Sequence, residues 1–89
     1  MKAVITVIGK DSIGIISLVS GKCSEYGVNI LDITQSVMQD YFAMIMLVDT
    51  SESKVDFATL SSELAKVGGE RGLDIRVMHE DIFKSMHHV

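Results

Sequence analysis

Residues 2–26, KAVITVIGKDSIGIISLVSGKCSEY, switch their apolar period from two to about 3.6 across a single glycine-bracketed loop, and that switch decides the fold. In residues 2–8, period two sets Ala3, Ile5 and Val7 on one side and Val4, Thr6 and Ile8 on the other. Both sides are largely apolar, so the strand belongs in the interior of a sheet. After the loop Gly9-Lys10-Asp11-Ser12-Ile13-Gly14, the residues Ile15, Ile16, Val19, Cys23 and Tyr26 make a helical stripe opposite Ser17, Ser20, Gly21 and Ser24. Ser12, or Asp11 if the helix starts a residue earlier, can cap it, and Gly27 reads as its stop.

Outward from this unit, residues 30–38 alternate as a half-buried strand, with Leu31, Ile33 and Val37 opposed to Asp32, Thr34 and Ser36. Gln39-Asp40 is the only polar break before residues 41–48, which predicts a hairpin whose register the residues leave open. Residues 41–48 are apolar or aromatic on both faces, so this strand is also interior. A polar connection follows, then Phe57, Leu60, Leu64 and Val67 at helical spacing until Gly68-Gly69 ends the helix. Leu73, Ile75 and Val77 alternate with Asp74, Arg76 and Met78 as a last strand. The order is βαββαβ, the ferredoxin-like α+β arrangement of a four-stranded antiparallel sheet with both helices on one face. Sheet order 4-1-3-2 puts the two most apolar strands at the centre. The second sheet face then needs a cover, which a partner subunit, an adjoining sheet or a ligand can supply, and a symmetric homodimer is the simplest.

Eighty-nine residues make a single domain, read as 1–80 with a tail, 81–89, that can form a short helix laid against the sheet or a partner. A net charge of -4 and scattered Lys and Arg argue against nucleic acid. The apolar start is too short for a signal or membrane segment, and the lone Cys23 falls on the helical stripe as a buried thiol, which fits a cytoplasmic protein. No motif for catalysis is present: Ser12, Cys23 and the histidines form no recognised set, and the first loop lacks both the Walker ending and GxGxxG spacing. His79, Glu80, Asp81, His87 and His88 offer metal-type donors, but paired histidines near a terminus read as an exposed segment. No catalytic residue, metal site or cofactor is expected. The methionines, including Met38, Met44 and Met46, read as core and interface filler.

The segment Val4-Ile5-Thr6-Val7-Ile8-Gly9-Lys10-Asp11-Ser12-Ile13-Gly14-Ile15-Ile16, continued by Val19-Ser20, Gly27-Val28-Asn29-Ile30-Leu31-Asp32-Ile33 and residues 44–48, resembles the ACT domain, in particular small stand-alone bacterial and archaeal ACT-domain proteins. The resemblance covers essentially the whole chain. It departs from the family pattern at Ile13, where a proline usually precedes the loop glycine. The resemblance implies a regulatory fold binding an amino acid or other small effector at a subunit boundary, through Asp11, Ser12, Ile13, Gly14, Ile15, Asn29, Ile30, Leu31 and Asp32. The physical chemistry is compatible: amides of the first helical turn can take a carboxylate, Gly14 leaves room for its approach, and Asp11 or Asp32 can take an ammonium group. The same residues can instead serve loop packing, capping and a chain turn. Expected partners are a second copy, the effector and an unidentified regulated protein. The competing readings are a ligand-free homodimeric adaptor and a small enzyme with an intersubunit site.

Overall fold

The computed structural model describes residues 1–10 and 13–86; Asp11, Ser12 and residues 87–89 lie outside the described residues. The elements are β1 (Lys2–Gly9), α1 (Ile15–Tyr26), β2 (Asn29–Met38), β3 (Tyr41–Asp49), α2 (Phe57–Glu70), β4 (Asp74–His79) and α3 (Glu80–Met86). All strand pairs are antiparallel and the sheet order is β2-β3-β1-β4, the expected arrangement with β1 and β3 at the centre. On one face, Ala3, Ile5 and Val7 of β1 and Met44, Met46 and Val48 of β3 are sealed by Ile15, Val19 and Cys23 of α1 and by Leu60 and Leu64 of α2. Burial on this face is the main stabilising term, since each large apolar side chain contributes roughly 1.5–3 kcal/mol.

Local chemistry sets the ends of the elements. Gly27 closes α1 in the left-handed region at φ 74°, its N–H and that of Val28 returning to the last turn. The N-cap of α1 is Gly14, so neither Asp11 nor Ser12 occupies that position. Asp56 caps α2, its carboxylate accepting from the Thr59 N–H at 2.8 Å. The hairpin turns on Gln39-Asp40, with Gln39 held at φ 53°, and pairs Met38 with Tyr41.

Three further expectations require correction. Helix α2 does not stop at Gly68-Gly69 but runs through them to Glu70. Gly68 is there because β4 packs against it: a Cβ at Gly68 would lie 2.7 Å from Ile75 Cγ1. In β2 the register shifts between Ile30 and Asp32, so Ile30, not Leu31, pairs with Val48 on the core side and Leu31 is 44% exposed. Ile16, assigned to the buried stripe of α1, is also exposed.

The second sheet face is partly covered by the chain itself. Helix α3 follows β4 without a loop and packs on β1 and β4. Val4 is consequently 3% exposed, whereas Ile8, on the same strand and face, is 50% exposed. No helix among the described residues is long and apolar enough to cross a membrane.

Candidate functional site

At the end of the sheet where β1 finishes, the loop leading into α1 and the loop joining α2 to β4 meet. Gly14 adopts φ 74° and ψ 3°, a conformation that costs a residue bearing a Cβ, and its carbonyl accepts from the Leu18 N–H at 2.9 Å. The amides of Ile15, Ile16 and Ser17 precede that first helical bond, and the first turn contains no acidic residue. Arg71, the C-cap of α2, reaches across and donates from Nη2 to the Ile13 carbonyl at 3.1 Å. A Cβ at Gly14 would stand 3.5 Å from that nitrogen, in ordinary contact. The first-turn amides and a planar guanidinium therefore share one place, a combination suited to a carboxylate.

Of the residues expected in this half of the site, Ile13 is 78% exposed and Gly14 is exposed, whereas the Ile15 side chain is in the core and leaves only its amide available. The expected Asp11 and Ser12 contributions lie outside the described residues. Arg71 was not among the expected residues. The sequence separates it from Ile13 by 58 positions, and no spacing pattern links them.

Asn29, Ile30, Leu31 and Asp32 stand at the other end. Asn29 pairs with Asp49, which pairs with Lys2 at the start of β1, whereas Gly14 lies beyond the end of that strand. The 12 residues of α1 span the separation, roughly 18 Å at the helical rise. The structure therefore does not bring the two groups together within one chain. Ile30 packs on the core, and Asp32 is exposed with its carboxylate accepting from the Ile33 N–H at 2.9 Å. Asn29 borders a surface groove of about 350 Å³, shared with Gly27, Asp49, Ser51 and Glu52. The Ser51 hydroxyl and N–H hold the Asp49 carboxyl below its usual range. The Met1 ammonium also lies 3.6 Å from Asp49 at this end.

Cys23 is wholly buried and desolvation pushes its thiol up to about 11, which makes it a core side chain and a poor nucleophile. His79 stacks on Phe57 with ring centroids 4.3 Å apart. Among the described residues, no three His, Cys, Asp or Glu side chains converge as a metal site.

A family model described as ACT domain matches residues 2–78. A UPF0237 protein of Methanocaldococcus jannaschii is 53% identical over 88 residues, covering 99% of this chain and 98% of that protein. A UPF0237 protein of Clostridium perfringens is 52% identical over 89 residues, covering 100% of both. An ACT domain protein from Streptococcus pneumoniae superposes with a TM-score of 0.82 at 44% identity, covering 94% of each chain.

Proposed function

The chain belongs to the ACT domain family, and we propose on that premise that it is a small regulatory protein binding an amino acid or a similar zwitterion at the boundary between two subunits. The observation that carries this reading is the split of the candidate site, with Arg71 and the first-turn amides at one end of α1 and Asn29 and Asp32 at the other. A two-fold axis through the outer edge of β2 would pair that strand antiparallel with its own copy. The start of one β2 then lies beside the end of the other, and the cationic group of one protomer meets the anionic group of the second. The β2 edge carries neither lysine nor proline, which leaves its backbone free to pair beyond the bulge at Ile30 to Asp32. In this arrangement the effector's carboxylate binds the first-turn amides and Arg71, and its ammonium binds Asp32. Binding favours one arrangement of the two subunits and so changes the surface offered to a regulated protein.

A thermal-shift screen of the common amino acids followed by calorimetry tests this reading. Arg71→Ala is expected to weaken the best binder by about tenfold or more, as loss of a charge-assisted hydrogen bond does. Asp32→Asn is expected to weaken amino acids while sparing the matching amine-free carboxylic acids. A wild-type protein that binds nothing in the panel, or undiminished wild-type affinity in both variants, overturns it.

A further inference from the structure

We infer that the groove between the tip of the β2–β3 hairpin and the end of β1 binds a free amino acid with an apolar side chain. This site is complete within one chain, and it is separate from the boundary site proposed above and independent of that reading. Gly9 pairs with Phe42 and Met38 with Tyr41, so the register that ends β1 sets Lys10 beside the hairpin turn. There the Lys10 ammonium stands 5.8 Å from the centre of the Tyr41 ring, within reach of a cation–π contact. Lys10, Val37, Gln39, Asp40, Tyr41 and Phe42 line a groove of about 410 Å³, a size inside the roughly 300–1,000 Å³ of small-molecule sites.

The charges on this groove select the ligand. Lys10 and Asp40 both line it, yet among the described residues neither forms an ion pair with the other or with any third group. The ammonium is engaged by the Tyr41 ring instead. A ligand of one sign would meet a like charge here, whereas a zwitterion places its carboxylate on Lys10 and its ammonium on Asp40. The rest of the wall is apolar, with Val37 70% and Tyr41 53% exposed beside a buried Phe42. Covering that surface favours an apolar side chain on the ligand over a polar one. The turn adds a donor and an acceptor of its own. Gln39 stands at φ 53°, where glycine would be unstrained, and so keeps a side-chain amide on the groove.

Calorimetry with L-leucine and L-phenylalanine tests the inference on the full chain, on Lys10→Gln, on Asp40→Asn and on Arg71→Ala, with circular dichroism to establish that each is folded. Lys10 and Asp40 are exposed, so neither replacement disturbs the core. The expected result is that at least one probe binds Arg71→Ala with one ligand per chain, and that Lys10→Gln and Asp40→Asn each weaken binding by about tenfold or more. The matching carboxylates without the amino group are expected to bind Asp40→Asn as well as they bind the wild type, or better. Binding that survives Arg71→Ala but falls in the other two variants upholds the groove and withdraws support from the boundary site. Binding lost in Arg71→Ala alone places the ligand at the boundary and overturns the groove, so the two failures are distinguishable. A wild type that binds neither probe, or undiminished affinity in either Lys10→Gln or Asp40→Asn, also overturns the inference.

Discussion

Desolvation of the Cys23 thiol ties stability to pH in a definite direction. Its pKa rises from 9.0 to about 11 on folding, so the unfolded chain gives up this proton first as the solution becomes alkaline. The contribution is fully present below pH 9 and is lost as pH rises through about 11, a swing of roughly 2–3 kcal/mol. Chemical denaturation at pH 8 and pH 10.5 is expected to show that loss in the wild type and a smaller one in Cys23→Ala. A thiol reagent is expected to modify native protein only after denaturant is added. Two glycines make a second comparison. Gly68→Ala forces a methyl group into Ile75 and is expected to cost about 1–3 kcal/mol. Gly21→Ala, on a helical position with nothing within 4 Å, is expected to stabilise by about 0.5–1 kcal/mol. Thermal melts of the two variants should move in opposite directions. At this scale the sequence was only partly legible. The burial of Cys23 follows from its stripe, but the role of Gly68 depends on β4, and Arg71 reaches Ile13 only once α2 has packed.

Helices and strands were legible where a local signal set their limits. The extent of α1 follows from the period change and from Gly27, which lies on the segment it terminates, whereas its cap was misplaced, because Ser12 or Asp11 was expected where Gly14 stands. Helix α2 exceeded its expected end because a glycine read as a stop is retained for contact with the sheet. The phase of β2 was misread at Leu31 because a bulge shifts the pairing without changing composition. Asp56 provides the test at this scale. Hydrogen bonds from the Thr59 side chain and N–H lower its pKa, so its support of α2 is present above the usual carboxylate range and is lost as pH falls through the depressed value. Asp56→Ala is expected to lower the Tm by a few degrees at pH 7 and by less at pH 3, whereas Asp56→Asn retains most of the cap. Melts at the two pH values measure the difference.

The sheet order of the whole molecule was legible because the two strands apolar on both faces had to be central, and β1 and β3 are. The cover of the second face was less so, since seven residues of α3 carry too few periodic positions to show which surface they meet. Truncation after His79 removes α3 and is expected to expose Val4 and lower stability by about 1–3 kcal/mol. Truncation after Met86 is expected to leave the Tm within a degree or two of the full chain. Denaturant melts of both proteins check the pair. The interleaving of the strands also dictates timing. Only β2 and β3 are joined by a short turn, while β1 must wait for β3, about forty residues later in the chain, before its backbone has a hydrogen-bonding partner. During synthesis at the ribosome, β1 therefore emerges first yet stays unpaired until β3 has been made, which leaves its doubly apolar segment as the natural early client of a chaperone.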